Sequence, residues 1–207
     1  MILAGLVNGP IGYVPILDDT DDLLTISMPA GTAPDPHSVD LILAMPRPKV
    51  MKRLWAPLAS IGIRNIHIIG AEKVEPFYFD SHALAEETYL PRMIEGLEQA
   101  RDTRLPQIHV VKSFRWFVEK HLAGLSPEHI KLIGHPGAEQ SIREVVEQEN
   151  KHRGITLAVG PEGGWTPEEI NTFSKHGFHP VGMRDRALRT DTAIISLLAL
   201  VYDALKI

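Results

Sequence analysis

Three glycine-containing stretches in the last third of the chain carry the residue types and spacings that could do chemistry. They are residues 134–137 (Gly-His-Pro-Gly), 160–165 (Gly-Pro-Glu-Gly-Gly-Trp) and 182–192 (Gly-Met-Arg-Asp-Arg-Ala-Leu-Arg-Thr-Asp-Thr). Each follows a short apolar run that is typical of a strand, and glycine lets a ligand approach the bare backbone. Because ligands of open α/β sheets bind beyond the carboxyl ends of strands, we expect the three loops to form one pocket.

The loop at residues 160–164 does not match the loops that bind nucleotide phosphates. It is neither a G-x-G-x-x-G nor a Walker A pattern, and it lacks the lysine of the latter. The negative charge of Glu162 would also repel a polyphosphate. The loop therefore favours a ligand that is neutral or cationic there. Adenosine with a sulfonium and an amino-acid tail fits, since backbone groups can recognise the adenine while the carboxylate faces the cation.

Several of these residues also have a purely structural interpretation. Glu162 can be a negative charge that favours the start of the following helix through the helix dipole. Arg189 can simply pair with Asp191 or Asp185, and His135 can be an exposed turn residue. The sequence leaves these alternatives open.

Two predicted helix starts border the loops. Thr166 and Glu169 have the spacing of a capping box, and Pro167 falls at the first helical position, where its missing N–H costs nothing. Trp165, just before this helix, is more typical of a packing residue than of a stacking platform. Thr190 can be the cap of the last helix, a role that does not exclude contact with a ligand.

The surrounding sequence alternates between strand and helix patterns, which predicts a mostly parallel sheet covered on both faces. We predict strands at residues 39–45, 63–69, 107–111, 130–133, 155–159 and 178–181, and helices at 49–60, 86–101, 113–122, 138–149, 167–176 and 190–205. Residues 70–85 are predicted to be a loop. Residues 1–28 indicate a partial β module with short strands at 4–7, 12–16 and 23–26 and an acidic turn at 18–22, and the Pro- and Gly-rich residues 29–38 indicate a linker.

Composition limits the function further. The chain has 207 residues, no cysteine and a formal charge of −5. The absence of cysteine excludes a thiolate metal site and favours a reducing, cytoplasmic compartment, and the scattered histidines predict no metal. No apolar stretch is long enough to span a membrane. RNA binding would need a local basic patch, and one cluster, equally consistent with a solvated helix face, comprises Arg47, Lys49, Lys52 and Arg53.

Two of the loops resemble the signature blocks of a known enzyme family. Residues 160–165 and 188–193 (Leu-Arg-Thr-Asp-Thr-Ala) together resemble the late blocks of the RsmE family, and residues 134–137 and 96–102 resemble further segments of it. The resemblance covers residues 39–207. RsmE enzymes are SPOUT-class methyltransferases that use S-adenosyl-L-methionine to methylate N3 of a uridine in bacterial small-subunit (16S) ribosomal RNA.

This resemblance implies a fold and a set of partners. SPOUT domains are α/β folds with a C-terminal trefoil knot, one of the rare exceptions to unknotted topology. The family is homodimeric, with the active site near the dimer interface, and its substrate is 16S rRNA in the 30S subunit. The apolar last helix would supply part of that interface through Ile194, Ile195, Leu197, Leu198 and Val201.

The resemblance also assigns roles to residues. Uridine N3 attacks well only once its proton is leaving, so a cation or a base is needed. Arg189 is the leading candidate for stabilising charge on the uracil carbonyls, and Glu162 is the weaker candidate for the base, since burial would have to make it more basic. The expected cofactor-binding residues are Ile133, His135, Gly137, Val159, Gly160, Gly163, Gly164, Val181, Gly182, Leu188, Thr190, Thr192 and Ala193.

The chain departs from the family pattern in three places. The family's complete N-terminal β-barrel and its basic opening segment are not matched, Asp191 stands for the usual Glu, and Ser60-Ile61-Gly62 stands for a frequent Glu-Leu-Gly. Two other functions therefore stay open. One is a non-catalytic RNA- or ribosome-binding protein of the same fold, and the other is a nucleotide-binding enzyme, which would bind phosphates.

Overall fold

The computed structural model describes residues 1–149, 154–183 and 188–206. Its ten strands, within these residues, are β1 (Ile2–Gly5), β2 (Ile11–Val14), β3 (Ile16–Asp19), β4 (Leu24–Ile26), β5 (Val39–Ala44), β6 (Asn65–Ile69), β7 (Gln107–Val111), β8 (His129–Gly134), β9 (Gly154–Val159) and β10 (Phe178–Val181). The α-helices in the same residues are α1 (Pro48–Ile61), α2 (Glu86–Ala100), α3 (Phe114–Lys120), α4 (Ile142–Gln148), α5 (Pro167–Lys175) and α6 (Thr190–Leu205).

A six-stranded sheet with every neighbouring pair parallel forms the centre of the fold. The strand order is β10-β8-β9-β5-β6-β7. All residues of β5 and β9 are buried, which requires that both faces of the sheet are covered at its middle. The predicted α/β fold with a parallel sheet is confirmed. The predicted trefoil knot stays a prediction, and residues 184–187 lie outside the described residues.

The helices cover the sheet through apolar stripes. In α1 the buried side chains Met51, Leu54, Trp55 and Leu58 recur at spacings of three and four, which places them on one face. Helix α1 packs against α2 and α6, and α4 packs against α6. Helices α3 and α5 meet through an edge-to-face contact of Phe114 and Phe173, with ring centroids 5.6 Å apart. Of the described helices, none combines the length and apolar character that a membrane span requires.

Helix α6 buries most of the apolar residues that were expected at a dimer interface. Ile194, Leu197, Leu198 and Val201 are buried within the protomer, so they are part of the core. Of the predicted set, Ile195 is only partly buried, and the neighbouring Leu200 is 42% exposed. The sequence pattern could not separate these roles because an apolar helix can face a core or a partner.

Several element boundaries differ from the sequence prediction. Helix α4 begins at Ile142 rather than at residue 138, because Ser141 is its N-cap and forms a full capping box with Glu144. The predicted loop at 70–85 contains two 3₁₀ helices, Pro76–Asp80 and His82–Leu84. The Trp55 indole N–H donates to the Ala83 carbonyl at 2.9 Å, which ties this segment to α1.

Residues 1–28 form two antiparallel hairpins, β1–β2 and β3–β4. The predicted acidic turn is shorter than expected, since Asp18 and Asp19 end β3 and the turn is closed by the Thr20 hydroxyl, which donates to the Leu23 carbonyl at 3.0 Å. The first hairpin is attached to the rest of the chain by the Thr103 hydroxyl, which donates to the Gly9 carbonyl at 2.7 Å. The division into a β module, a linker and a larger domain stays a prediction.

The amino ends of the strands hold a buried ion network. Asp40 in β5 is 1% exposed and accepts two bonds from the Arg64 guanidinium, at 3.0 and 2.6 Å, and one from the Asn65 amide. Burial alone would raise the pKa of Asp40, but the hydrogen bonds and charge of Arg64 lower it below its ordinary value. This network belongs to the end of the sheet opposite the glycine loops.

Candidate active site

A cavity of about 250 Å³ lies at the carboxyl ends of β8, β9 and β10. Its volume is near the lower limit for small-molecule sites, roughly 300 Å³. The lining comes from the three glycine loops and the first turns of α6. It comprises Gly134, His135, Pro136, Val159, Gly160, Pro161, Glu162, Gly163, Gly164, Trp165, Val181, Gly182, Met183, Leu188, Thr190, Ala193 and Leu197.

The sheet order explains why the loops converge. Strand β8 lies between β10 and β9, with Gly134 paired to Val181 and Ile133 to Ala158. The three strand ends are therefore adjacent. Backbone bonds then join the loops: the His135 N–H donates to the Val181 carbonyl at 2.9 Å, and the Gly182 N–H donates to the Gln140 carbonyl at 3.2 Å.

Glycine is favoured at two positions of the cavity wall. Gly164 has φ +68°, which side-chain-bearing residues rarely adopt, and its N–H closes a turn onto the Pro161 carbonyl at 2.8 Å. At Gly182 an added Cβ would lie 3.0 Å from the His135 carbonyl oxygen. Gly164 and Gly182 therefore present backbone, not side chains, to the cavity.

The structure brings together most of the expected cofactor-binding residues. All but three of them line the cavity. Ile133 is fully buried inside β8, whereas Gly137 and Thr192 are exposed beyond the lining. The loops also contribute lining residues that were not predicted to bind the cofactor, namely Gly134, Pro136, Pro161, Trp165 and Met183, and helix α6 contributes Leu197. Leu197 follows Ala193 by four residues on α6, and this spacing was the signal that could have identified it.

Trp165 is both a packing residue and a wall of the cavity. It is 5% exposed, and its ring packs edge-to-face on Phe173 with centroids 5.1 Å apart. Its Cδ1–Nε1 edge lies against Gly160, where an added Cβ would be 3.2 Å away. The indole nitrogen has no hydrogen-bond partner among the described residues.

One interpretation of Glu162 is that it favours the start of α5, but it contacts the start of α1 instead. Its Oε1 accepts the Arg47 backbone N–H at 3.0 Å, and Arg47 is the N-cap residue of α1. The start of α5 is instead stabilised by the predicted capping box, in which the Thr166 hydroxyl accepts the Glu169 N–H and the Glu169 carboxylate accepts the Thr166 N–H. Glu162 thus joins the cavity loop to α1, and its negative charge lies at the positive end of the α1 dipole.

Arg189 lies at the edge of the cavity and not in its lining. It is the N-cap residue of α6, between Leu188 and Thr190, which both line the cavity. Its side chain is 73% exposed, and its Nη2 lies 3.4 Å from Asp191 Oδ2. The predicted pairing with Asp191 is therefore present, whereas Asp185 lies outside the described residues. The same Asp191 oxygen accepts a 2.7 Å bond from Arg53 Nη2.

The expected RNA-binding cations stand around the start of α1. Arg47, Lys49, Lys52 and Arg53 are all exposed, and the Arg53 contact with Asp191 brings this helix beside the start of α6. A further cation that the sequence did not indicate is Lys73, whose Nζ donates to the Gly163 carbonyl at 2.8 Å. Two structural alternatives are wrong. His135 is half-buried in the cavity wall and is not an exposed turn residue. Thr190 is not the cap of α6, because Arg189 holds that position; Thr190 is buried in the first turn and lines the cavity.

The cavity suits a nucleoside-like ligand with a positive charge. Its apolar walls include Val159, Val181 and Leu197, its polar groups are mainly backbone groups of the glycine loops, and Glu162 is its carboxylate. S-adenosyl-L-methionine has this combination of a flat aromatic base and a cationic sulfonium, so these residues fit it. Among the described residues, no group of three or more side chains is placed to hold a metal ion.

Sequence comparisons relate the chain to RNA-modifying enzymes. Residues 33–202 match the model of the RNA methyltransferase domain family. Ribosomal RNA small subunit methyltransferase E of Treponema pallidum (strain Nichols) is 33% identical over 201 residues, which cover 96% of this chain and 75% of that protein. Ribosomal RNA small subunit methyltransferase E 1 of Borreliella burgdorferi is 28% identical over 158 residues, 75% of this chain and 63% of that protein. The chain thus spans less than two thirds of the second relative.

Structural comparisons show the same fold. A Legionella pneumophila protein solved with the bound cofactor SAM has a TM-score of 0.71 and 25% identity, with 92% of this chain and 77% of that chain covered. Ribosomal RNA small subunit methyltransferase E from Neisseria gonorrhoeae, bound to S-adenosyl methionine, has a TM-score of 0.69 and 23% identity, with coverage of 86% and 72%.

Proposed function

Because this chain belongs to the ribosomal RNA small subunit methyltransferase E family, we propose that it methylates small-subunit ribosomal RNA with S-adenosyl-L-methionine as the methyl donor. The observation that carries the proposal is the cavity in which three strand-end loops place backbone groups, apolar walls and the Glu162 carboxylate together. The more specific proposal is that the accepting atom is N3 of a uridine in 16S rRNA. An rRNA substrate places the reaction in the cytoplasm.

In this proposal, the cavity residues hold the methyl donor, and a different residue stabilises charge on the RNA base. The donor, when bound, supplies a methyl group that is activated by a sulfonium charge. Val159, Val181 and Leu197 exclude water from the cavity, and the backbone at Gly160 and Gly182 orients the bound molecule. Most of the rate enhancement then comes from holding the reacting atoms in line, which requires no covalent step on the protein.

Arg189 is the group proposed to act on the uracil ring. N3 becomes nucleophilic as its proton leaves, and negative charge then develops on the neighbouring carbonyl oxygens. A guanidinium at the edge of the cavity can donate to those oxygens and stabilise the charge. In the structure this guanidinium is exposed beside Asp191, so it can contact RNA that covers the cavity opening.

Glu162 has a holding role in this proposal. One carboxylate oxygen already accepts the Arg47 N–H, so the side chain fixes the cavity loop against α1. The second oxygen is the one that could accept a proton.

The exposed cations at the start of α1, with Lys73, are proposed to contact RNA phosphate, and the proposed partner is the 30S subunit. We also propose a homodimer, with the partly buried Ile195 and the exposed Leu200 on α6 as its interface residues.

A methyl-transfer assay on 30S subunits that lack the modification tests the function. The purified protein and labelled S-adenosyl-L-methionine should give a labelled 16S rRNA whose nucleoside digest contains N3-methyluridine. Label in another nucleoside would refute the N3 assignment only. RNA binding without methyl transfer would indicate a non-catalytic binding protein. Calorimetric binding of ATP or NAD without binding of S-adenosyl-L-methionine would indicate a nucleotide-binding enzyme.

A further inference from the structure

Asp191 is shared by two arginines that come from different elements. Its Oδ2 accepts a 2.7 Å bond from Arg53 in α1 and lies 3.4 Å from the Arg189 guanidinium. Its other oxygen, Oδ1, accepts the Thr192 N–H at 3.0 Å in the first turn of α6. The Asp191 side chain is 24% exposed. Both of its oxygens are oriented, one by Arg53, which lies 138 residues away in the sequence, and the other by the adjacent Thr192 N–H.

We propose that Arg53 and Asp191 are positioning residues that hold the Arg189 guanidinium at the mouth of the cavity. The inference rests on the proposed function, in which Arg189 acts on the uracil. Arg53 orients the carboxylate from α1, and the carboxylate in turn orients Arg189. Arg189 needs such a partner because its exposed side chain has many rotamers.

The distances from Asp191 to Arg53 and to Arg189 suit the proposed positioning role. The short contact with Arg53 fixes the position of the Asp191 carboxylate relative to α1. The longer contact with Arg189 biases the guanidinium without binding it tightly. Arg189 can therefore turn to a uracil oxygen when RNA covers the cavity, and the carboxylate still screens the repulsion between the two guanidinium groups.

Two simpler explanations make different predictions. If Asp191 served only as an acidic residue in the first turn of α6, its loss would change stability and leave turnover intact. If Arg53 served only as a phosphate contact, its loss would weaken RNA binding and reduce the salt dependence of that binding. Exposed ion pairs contribute little to stability, so a large effect on turnover would not come from unfolding.

The test compares kcat at saturating 30S subunits and donor for the variants Asp191→Asn, Arg53→Gln and Asp191→Glu. We expect Asp191→Asn and Arg53→Gln each to lower kcat about ten- to a hundred-fold, since misplacing a reacting group costs this much. The calorimetric Kd for S-adenosyl-L-methionine and the melting temperature should stay near wild type. Asp191→Glu keeps the carboxylate, so we expect it to retain most of the kcat.

The matched control is Asp203→Asn. Asp203 lies near the other end of α6 and pairs with Arg143 of α4 on the surface, so its loss removes an equivalent ion pair away from the cavity. We expect wild-type kcat for this variant. If Asp191→Asn does not fold, Arg53→Gln decides, because it removes the same contact from α1.

Two experimental results would refute two different proposals, the function and the positioning role. A wild-type protein that transfers no methyl group refutes the proposed function and this inference with it. An active wild type whose Asp191→Asn and Arg53→Gln variants keep their kcat, or lose only affinity for RNA, refutes the positioning role alone.

Discussion

Arg189 and Glu162 are the two charged side chains on which the chemistry of the cavity depends most. They differ in how they are held. Arg189 is exposed and has a loose contact with Asp191, whereas Glu162 accepts a 3.0 Å bond from the backbone of α1. A loosely held cation can follow charge that develops on a substrate, and a carboxylate bound to backbone is better suited to holding a loop. The two residues therefore lead to opposite expectations for turnover and for cofactor affinity.

Replacing Arg189 with alanine should lower turnover and leave cofactor binding unchanged. The loss of one donor to a developing oxyanion typically costs about 10²–10³ in kcat. Steady-state kinetics on 30S subunits and calorimetry with S-adenosyl-L-methionine measure the two quantities separately. Arg189→Lys keeps the charge but not the planar fork, so it should recover only part of the loss. Wild-type turnover in Arg189→Ala would contradict the assigned role.

Glu162 variants should separate a holding role from a base. In Glu162→Gln the amide oxygen can still accept the Arg47 N–H, so we expect near wild-type turnover. Glu162→Ala removes the acceptor, and the loosened loop should bind S-adenosyl-L-methionine about ten-fold more weakly, the equivalent of roughly 1.4 kcal/mol for one charge-assisted bond. A large loss of kcat in Glu162→Gln, with unchanged cofactor affinity, would instead identify the carboxylate as the proton acceptor.

The sequence could predict the loops of the site but not the partners of their side chains. The cavity lining follows from strand–glycine patterns, which are local. The bond between Glu162 and Arg47 joins positions 115 residues apart, and the bond between Arg53 and Asp191 joins positions 138 apart. Spacing within one element carries no information about such pairs. Arg189 and Asp191 are two residues apart, and this local pair was correctly included among the alternatives.

At the scale of elements, helix starts were predictable wherever a side-chain cap stands in the sequence. The capping box of Thr166 and Glu169 marked the start of α5 correctly. The same signal at Ser141 and Glu144 marks the start of α4 at Ile142, whereas the predicted helix began at residue 138. The 3₁₀ helices at 76–84 have no comparable local signal, since Trp55 of α1 fixes this segment from outside.

Removing the cap of α5 should destabilise the protein measurably. Thr166 is buried and its hydroxyl accepts the Glu169 N–H. Thr166→Ala loses this acceptor and should lower the free energy of unfolding by about 1 kcal/mol, which corresponds to a fall in Tm of roughly 2–4 °C for a chain of this size. Thr172→Ala in the same helix is the control, because the Thr172 hydroxyl only donates back to the Glu168 carbonyl of its own helix and alanine has the higher helix propensity. Equal melting temperatures for Thr166→Ala and wild type would argue against the cap.

At the scale of the whole molecule, the buried ion network and the cavity lie at opposite ends of the parallel sheet. The network of Asp40 and Arg64 lies at the amino ends of the strands, and the cavity lies at the carboxyl ends. The parallel sheet was predictable from the alternation of strands and helices. The strand order β10-β8-β9-β5-β6-β7 was not, because neighbours in a parallel sheet are set by packing between distant segments. The order matters for function, since it makes the three glycine loops neighbours.

Two buried histidines are expected to make the free energy of unfolding depend on pH. His67 in β6 stacks on His109 with ring centroids 4.7 Å apart, and its Nδ1 has no partner among the described residues. Burial, together with the neighbouring His109, lowers the pKa of His67 to about 4. Burial also lowers the pKa of His129, although the Asp40 carboxylate opposes this shift. The His67 ring is therefore neutral in the folded protein at pH 6, where the unfolded chain would largely protonate it.

Stability should consequently fall as the pH falls from 6.5 to 4. Over this window the unfolded chain binds a proton at His67 that the folded protein does not, so each step toward acid favours unfolding, by about 3 kcal/mol in all for this group. His67→Leu should flatten urea-derived unfolding free energies across this window, whereas His82→Gln, at an exposed position, should not. The loss due to Asp40 is separable, because its lowered pKa places it below pH 3.8. An unchanged slope in His67→Leu would show that His67 is not the group responsible.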